Sequence, residues 1–256
     1  MGAYSVAERR NKTIKLLNDE GQVSVTKLSK MLGVSEVTIR KDLLFLEEKN
    51  FLVRTHGGAM KNDYLVHDQH IEDKGKKYAD EKRRIGECAA KMVEDGESLI
   101  LDAGTTVLQV ARNLQNKRNL TVLTPAVNIA LELIRVPEIQ IMVMGGVLRN
   151  TSAAVIGSYA ETMVREHFCS KLFLAADGFD LVTGLTTTNA LEANLNRLMI
   201  ESANETIVVM DSSKFGSRGL SRICGMDQID VIITDEGISE NMRKTLEANN
   251  IQVVIA

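Results

Sequence analysis

The sequence predicts an α/β protein in which a small N-terminal winged helix-turn-helix domain is followed by a larger α/β domain with a mainly parallel sheet. Two observations support this prediction. Within residues 1–60, two short amphipathic segments are separated by a glycine and followed by a glycine-centred hairpin pattern. Within residues 78–256, apolar strand-like runs alternate with helical patterns, as in parallel sheets connected by helices. Residues 61–77 are polar, lack periodicity and are interpreted as a linker.

The first predicted element is a helix over residues 5–19, which Gly21 ends. Its inward face carries Ile14 and Leu17. Four basic residues are expected to face outward, and they are Arg9, Arg10, Lys12 and Lys15. In a winged fold, this helix packs behind the two helices that read DNA.

Residues 22–60 show the pattern of a helix-turn-helix closed by a short hairpin. Apolar residues at helical spacing mark one buried face on each helix, namely Leu28, Met31 and Leu32 on the first and Ile39, Leu43 and Leu46 on the second. Gly33 permits the turn between the helices, and Ser35 is placed to cap the second one. We therefore expect these two helices to share an apolar core.

Other side chains of the same segment are predicted to contact double-stranded DNA. Around the start of the second helix, where a recognition helix meets base edges, these are Ser35, Val37, Thr38, Arg40 and Lys41. Two short strands are predicted after Asn50, and three side chains of this hairpin would lie along the phosphate backbone of the DNA, namely Arg54, Thr55 and His56. Residues 1–61 contain 11 Lys and Arg against 7 Asp and Glu, a net charge of +4, and the remainder contains 20 against 27, a net charge of −7. A solvated basic surface would also give this split, but together with the helix-turn-helix pattern the split favours a separate nucleic-acid-binding domain.

The composition predicts a soluble cytoplasmic protein without metal or cofactor. No apolar run approaches the ~18 residues of a membrane span, and the N-terminus lacks the apolar core of a signal peptide. Cys88, Cys169 and Cys224 are far apart and form no CxxC pair, so neither a disulfide framework nor a zinc site is expected. His67 and His70 stand three positions apart in the predicted linker, but they have no nearby third ligand.

Helices and strands alternate through the second domain. Strands are predicted at 98–102, 120–124, 139–144, 171–176, 206–210, 230–234 and 251–256, and helices at 105–114, 126–135, 157–167, 189–202 and 239–249. Ligands of open parallel sheets bind outside the carboxyl ends of the strands. The residues that follow the strands are therefore the candidates for a binding site.

These strand ends predict a site for an anion that also carries polar groups. The first strand leads into Asp102, Gly104, Thr105 and Thr106, where two hydroxyls and a helix N-terminus suit a phosphate. The remaining candidates are Gly145, Gly146, Asp177, Glu192, Asn196 and Lys214. On helix 189–202, Glu192 and Asn196 stand beside the predicted core positions Leu191, Leu195 and Leu198. Simpler interpretations are a capped glycine turn, a solvated lysine and an exposed helix face.

Several motifs resemble one family. SEVTIRKDLLFLE and VRTHGGA are similar to the DNA-binding signature of the DeoR family of bacterial transcriptional regulators. The second domain resembles the effector domain of that family through ILDAGTT, MGGVLR, LFLAADGFD, GLTTTNALEANLNRLM, DSSKF and IITDEGI, in that order. The resemblance implies a repressor of a carbohydrate-catabolism operon whose ribose-5-phosphate-isomerase-like second domain binds a phosphorylated sugar effector.

The resemblance also implies roles for the candidate residues. Asp102, Gly104, Thr105 and Thr106 would hold phosphate or a neighbouring hydroxyl, and the other six candidates would line the rest of the pocket. The chain departs from the family at Pro125 and Ala126, where Asn and Ser are frequent, so that one sugar contact is missing. It also has Ala175 where many members have Gly.

Two other functions are compatible with the residues. A sugar-phosphate isomerase-like enzyme with a regulatory DNA-binding head would need a general base, and Asp177 or Glu192 could serve. A winged helix can also be a protein-interaction module, but the clustered Arg40, Lys41 and Arg54 would then have no purpose. We therefore predict a regulator without catalytic residues. Because one winged helix reads few base pairs, a homodimer or homotetramer is expected.

Overall fold

A computed structural model of the chain describes residues 4–48, 52–61, 66 and 68–256. It divides into two compact units, residues 1–65 and 66–256. The predicted limits 1–60, 61–77 and 78–256 stay predictions, and the range 61–77 contains a short helix, α4, Ile71–Lys76. Asn50 and His67 lie outside the described residues.

The first unit is a winged helix-turn-helix. Its elements are α1 (Val6–Glu20), β1 (Gln22–Ser24), α2 (Val25–Leu32), α3 (Glu36–Glu48), β2 (Leu52–Thr55) and β3 (Gly58–Lys61). The predicted hairpin is β2 and β3, and β1 adds a third antiparallel strand next to β3. Gly33 ends α2 in the left-handed conformation, with φ of 66°, which glycine adopts without steric cost.

The core of this unit corrects two sequence-based expectations. Leu28, Leu32 and the predicted face of α3 are buried, but Met31 is 46% exposed. Arg9, predicted to face outward, is buried and its Nε donates to Asp42 Oδ2 at 2.9 Å. Asp42 also accepts a 3.0 Å hydrogen bond from Arg10 Nε. The buried carboxylate on α3 therefore draws the basic end of α1 inward, because a charge in the core requires a partner.

The second unit is built on a seven-stranded parallel sheet. Its helices are α4, α5 (Ala79–Lys91), α6 (Thr105–Arg112), α7 (Val127–Leu133), α8 (Ser158–Arg165), α9 (Ala190–Glu201) and α10 (Glu240–Ala248). The sheet strands are β4 (Ser98–Leu101), β5 (Leu120–Thr124), β6 (Ile139–Val143), β9 (Cys169–Leu174), β12 (Ala203–Val209), β14 (Val231–Thr234) and β15 (Gln252–Ile255). The predicted α/β fold class is confirmed.

The strand order of this sheet places a switch point at its centre. The order is β15-β14-β12-β9-β4-β5-β6, and every pairing is parallel. The chain runs outward from β4 in one direction and from β9 in the other, so β4 and β9 are neighbours whose connections diverge. Such a point leaves a crevice at the carboxyl ends of the two strands.

Two small antiparallel additions were not predicted from the sequence. One is a hairpin of β7 (Val147–Arg149) and β8 (Ala154–Ile156), and the other is a sheet of β10 (Gly178–Asp180), β11 (Gly184–Thr187) and β13 (Ser221–Cys224). Both follow a strand end and rise beside the crevice. In the described part of the chain, no helix is long and apolar enough to cross a membrane.

Candidate DNA-binding surface and ligand cavity

The start of α3 presents the predicted DNA-facing residues to solvent. Ser35 caps the helix, since its hydroxyl accepts a 3.2 Å hydrogen bond from the Thr38 amide and lies 3.0 Å from the Thr38 hydroxyl. Val37 is 61% exposed. Arg40 and Lys41 are exposed as well, and Arg40 Nη2 lies 3.0 Å from Glu36 Oε2. An exposed pair of this kind contributes little to stability, so Arg40 can exchange its partner for a base or a phosphate at small cost.

The hairpin holds a second basic side chain in a defined place. Arg54 donates to the Glu47 carboxylate through its amide at 3.0 Å and its Nε at 2.6 Å. Thr55 and His56 are exposed at the turn. Gly58 approaches β1 so closely that a Cβ would lie 2.0 Å from Val23 O. Glycine is therefore required here for the three strands to pack.

In the second unit, a cavity lies at the switch point between β4 and β9. We call it the central cavity. It is lined by the ends of these strands together with residues from α4, α5, α6, α9, β11 and the β7–β8 hairpin. Eight of the ten predicted effector-site residues line it, namely Asp102, Gly104, Thr105, Thr106, Asp177, Glu192, Asn196 and Lys214.

Gly145 and Gly146 are not among the lining residues. They form the turn that leads into β7, where Gly146 has φ of 140° and a Cβ would lie 2.5 Å from Ile156 O. Their effect on the cavity is indirect, because the turn directs β7 and its Arg149 toward Glu192. The bond between Arg149 Nη1 and Glu192 Oε1 is 3.0 Å long.

The N-terminus of α6 forms one end of the central cavity. Gly104 begins the helix with φ of 145°, and a Cβ there would lie 2.8 Å from the Cβ of Ala175. Thr105 and Thr106 follow in the first turn and line the cavity. The free N–H groups of a helix N-terminus and two hydroxyl donors are suited to an anion.

Three lysines face the same cavity, and they are Lys74, Lys82 and Lys214. Lys82 is buried, and its ammonium donates to Lys74 O at 2.6 Å and Lys77 O at 2.8 Å. Burial lowers the pKa of Lys82 to about 8, although the charge of Asp211, 4.0 Å away, opposes the shift. The three lysines bring positive charge into the cavity.

Three carboxyl groups, those of Asp102, Asp177 and Glu192, line the same cavity. Burial, assisted by the charges of Glu192 and Asp177, raises the pKa of Asp102 to about 8. Burial acts on Asp177 in the same direction, but its ion pair and hydrogen bond with Lys74 outweigh it, so the pKa of Asp177 is below its usual value. At neutral pH, Asp102 is therefore protonated and can donate a hydrogen bond, whereas Asp177 is a charged acceptor.

Hydroxyl groups complete the lining. Thr187 Oγ1 donates to Asp177 Oδ2 at 3.0 Å and thereby fixes that carboxylate. The hydroxyl oxygens of Thr151 and Ser152, in the loop between β7 and β8, are buried in the cavity wall without a hydrogen-bond partner among the described residues. Each of the two hydroxyls can donate and accept a hydrogen bond, so both are available to a polar ligand in the cavity.

Several of these cavity residues were not predicted from the sequence, although the position of Lys82 on a buried helix face could have identified it. Lys82 precedes Ile85, Gly86 and Ala89 at i+3, i+4 and i+7, on the buried face of α5. A lysine at a core position predicts a functional role, because an unpaired buried charge is costly. Lys74 stands in the predicted linker, and Thr151 and Ser152 stand in a stretch without periodicity. We find no sequence signal for these three.

Comparison with known proteins gives two family matches along the chain. The sequence model of the DeoR-like helix-turn-helix domain matches residues 9–64, and that of the DeoR C terminal sensor domain matches residues 77–236. A protein of Escherichia coli O157:H7 that carries the name of an aga operon transcriptional repressor is 37% identical over 97% of this chain and 93% of its own length. The lactose phosphotransferase system repressor of Staphylococcus epidermidis is 29% identical over 93% of this chain and 95% of its own.

A solved structure of ribose 5-phosphate isomerase A from Methanocaldococcus jannaschii aligns with a TM-score of 0.40 at 19% identity, over 54% of each chain.

Proposed function

Because the chain belongs to the DeoR family of transcriptional regulators, we propose that it represses a carbohydrate-catabolism operon and releases its operator when a phosphorylated sugar occupies the central cavity. One observation carries the second half of this proposal. A single cavity at the switch point joins a helix N-terminus and three lysines to three carboxyl groups. A phosphate is complementary to the first end and sugar hydroxyls to the second.

The DNA-binding half rests on the exposed surface of the first unit. Val37, Thr38, Arg40 and Lys41 contact base edges or set the register of α3, which Ser35 caps. The hairpin residues Arg54, Thr55 and His56 contact the phosphate backbone. Side chains that reach base edges determine the sequence read, whereas phosphate contacts act on all sequences alike.

In the effector-binding half, the phosphate group binds to the α6 N-terminus. Gly104 exposes the backbone, Thr105 and Thr106 donate, and Lys82 and Lys214 supply positive charge. A protonated Asp102 beside this end does not repel the phosphate, whereas an ionised one would.

The hydroxyl groups of the sugar bind at the opposite end. Asp177 and Glu192 accept from them, and Asn196 can both donate and accept. Thr151 and Ser152 add two hydroxyls that the resemblance did not suggest. The names of two relatives, which refer to an aga operon and to a lactose phosphotransferase system, support a carbohydrate pathway.

We propose that the cavity binds the sugar phosphate without converting it. Isomerisation needs a free general base beside the substrate carbon. The names of the relatives as transcriptional repressors support binding without conversion, and Asp177 and Glu192, which pair with Lys74 at 2.6 Å and Arg149 at 3.0 Å, serve as acceptors for sugar hydroxyls. Turnover of any pentose or hexose phosphate by the purified protein would instead favour the isomerase-like alternative.

Because one winged helix reads only a few base pairs, we propose a homodimer or homotetramer that reads repeated half-sites. Sedimentation at the concentration used for DNA binding tests this directly, and a monomer that binds operator with full affinity would contradict it.

The effector site is tested by calorimetric titration with a panel of aldohexose, ketohexose, hexosamine and pentose monophosphates, with inorganic phosphate and the free sugars as controls. We expect one sugar phosphate to bind far more tightly than its free sugar. Asp177→Asn should weaken this binding at least about tenfold, because it removes a charged acceptor. Asp180→Asn is the matched control, since Asp180 pairs with Arg218 and does not line the cavity. Binding that is the same in both variants would exclude the proposed site.

A further inference from the structure

The segment that leads from the first unit into the second is part of the central cavity. We call its described residues 68–77, which include α4, the strap. Ile71 and Lys74 of the strap line the central cavity. Just before it, the Val66 amide donates to Arg218 O at 2.8 Å. The wall of the cavity therefore includes the stretch of chain that continues to the helix-turn-helix unit.

Polar contacts hold the strap to this wall. The Asp68 carboxylate pairs with Arg149 and accepts a 3.3 Å hydrogen bond from the Thr188 hydroxyl. The Ile71 amide donates to Thr151 O at 2.8 Å. Lys74 Nζ donates to Asp177 Oδ1 at 2.6 Å. Three residues of the strap, Asp68, Ile71 and Lys74, therefore form polar contacts with the rest of the unit. These contacts reach the β7–β8 hairpin, Thr188 after β11 and Asp177 after β9.

Apolar packing contributes little to the position of the strap. None of the residues of α4 is buried, whereas the next helix, α5, buries Ile85, Gly86, Ala89 and Ala90. Glu72 and Gly75 of α4 also line a second cavity, together with Leu108, Gln109 and Asn128. A helix that borders two cavities and has no buried residue is among the elements that open at low free energy.

The junction between α4 and α5 has an unusual backbone conformation. Tyr78 has φ of 52°, in the left-handed region that residues other than glycine seldom adopt. The two helices meet there, and Lys82 of α5 holds the end of α4 through the Lys74 and Lys77 carbonyl groups. A rotation at Tyr78 would move α4 relative to α5 while the sheet stays in place.

The partners of the strap are the groups that the proposed ligand would engage. A sugar hydroxyl that binds Asp177 competes with Lys74, and a phosphate at the α6 N-terminus attracts the Lys74 ammonium. Arg149 pairs with both Asp68 and Glu192, so a sugar hydroxyl that binds Glu192 acts on a second contact of the strap. Ligand binding therefore exchanges the contacts that fix α4.

We propose that the strap is the element through which ligand occupancy is transmitted to the chain leading to the helix-turn-helix unit, with Lys74 and Asp68 as its positioning residues. This inference rests on the proposed function, because it takes the central cavity as the effector site. The Lys74–Asp177 and Asp68–Arg149 pairs hold the strap. When a sugar phosphate binds, the first pair is exchanged for ligand contacts and α4 is released from this position.

Amide hydrogen exchange of the full-length protein tests this proposal. We expect exchange across residues 68–77 to rise at least about tenfold when the sugar phosphate selected by calorimetry is added at saturation, while exchange in α10 stays the same, and slower exchange would contradict release of the strap. Lys74→Met and Asp68→Asn should each raise strap exchange without ligand. Asp68 does not line the cavity, so its variant separates strap release from lost ligand contacts. Lys76→Met is the matched control, because Lys76 forms only an exposed pair with Asp73.

The functional readout is the effect of the same sugar phosphate on operator affinity. Asp68→Asn should still bind the sugar phosphate, but the sugar phosphate should change its operator affinity less than that of the unsubstituted protein. Lys74→Met should lose this effect on operator affinity, and Lys74→Arg should retain much of it. Suppose that the sugar phosphate binds in calorimetry but leaves amide exchange in the strap unchanged, and that it still lowers the operator affinity of Asp68→Asn as in the unsubstituted protein. These results would overturn the role of the strap and leave the effector site intact. Absence of binding by every sugar phosphate would overturn both.

Discussion

Lys74 and Asp177 lie 103 positions apart in the sequence, yet their side chains share a 2.6 Å hydrogen bond in the central cavity. The bond connects α4, just after the start of the second unit, with the carboxyl end of β9. It shows why one cavity holds both cations and carboxylates without net repulsion. A ligand with a phosphate at one end and hydroxyls at the other can replace contacts of this kind on both sides.

Gly104→Ala should abolish binding of the sugar phosphate. An added Cβ would lie 2.8 Å from Ala175 Cβ, and φ of 145° is strained for alanine. Strain of this kind costs about 1–3 kcal/mol, so the α6 N-terminus must shift or the unit must lose stability. Gly145→Ala is the control, because its Cβ would meet only Tyr159 Cβ at 3.9 Å. Calorimetry and thermal melting of both variants provide the measurement, and equal behaviour would contradict the role of Gly104.

The free energy of unfolding should fall as the pH rises from about 5 to about 8. The folded state raises the pKa of Asp102 from 3.8 to about 8, so it holds this proton more tightly than the unfolded chain does. The stability is therefore greatest below the unfolded pKa and is lost as the pH approaches the folded value. The pKa of Lys82 is lowered from 10.5 to about 8, so this group makes the free energy of unfolding rise with pH, but only above about pH 8.

Asp102→Asn tests this assignment, since the variant should lose the slope between about pH 5 and 8 in chemical denaturation. Asp180→Asn should keep the slope, because the pKa of Asp180 is lowered and its effect falls at acid pH. A slope that persists in Asp102→Asn would mean that another group carries it.

Thr151→Val and Ser152→Ala should weaken sugar-phosphate binding without destabilising the ligand-free protein. Neither hydroxyl has a hydrogen-bond partner among the described residues, so its removal breaks no contact in the free state. A net hydrogen bond of about 0.5–1.5 kcal/mol corresponds to a loss of roughly two- to tenfold in affinity. Ser158→Ala, at an exposed position near the same hairpin, is the control. Unchanged affinity combined with lower stability would assign the two hydroxyls a structural role.

Arg40→Ala and Arg54→Ala should differ in their effect on DNA binding. Loss of a base contact by Arg40 costs about 1–3 kcal/mol of discrimination and relaxes specificity at one position. Loss of a phosphate contact by Arg54 weakens binding to all sequences and lowers the salt slope by about 1. Fluorescence anisotropy with operator and unrelated DNA at several salt concentrations measures both. Lys244→Ala, in α10, controls for the lost charge. Arg40→Ala with unchanged operator affinity would exclude α3 as the reading helix.

Much of this structure follows from local patterns in the sequence. The alternation of apolar runs predicted all seven strands of the parallel sheet and the helices between them, because the inner strands are buried on both faces and read as continuous apolar runs. The rule that ligands bind at strand ends then placed Asp102, Asp177 and Lys214 at one edge of the sheet. Eight candidates meet in one cavity for this topological reason.

What could not be predicted depends on contacts between distant segments. Leu191 fits the apolar spacing of α9 but is 52% exposed, while Asn196 is buried beside the cavity. Helical spacing identifies a face and does not say which neighbour covers it. Lys74 is remote from Asp177 in sequence, and the hairpin with Thr151 and Ser152 has strands of only three residues each. Such short strands give too little periodicity to detect.

The central claim is that operator DNA and a phosphorylated sugar oppose each other on this protein. The most direct measurement is the affinity of the full-length protein for its own upstream DNA, at fixed salt, titrated with the sugar-phosphate panel. We predict that one sugar phosphate lowers this affinity and that operator DNA lowers the affinity for that sugar phosphate by the same factor, as linkage requires. A sugar phosphate that binds equally well with and without operator, and leaves the DNA affinity unchanged, would contradict the account.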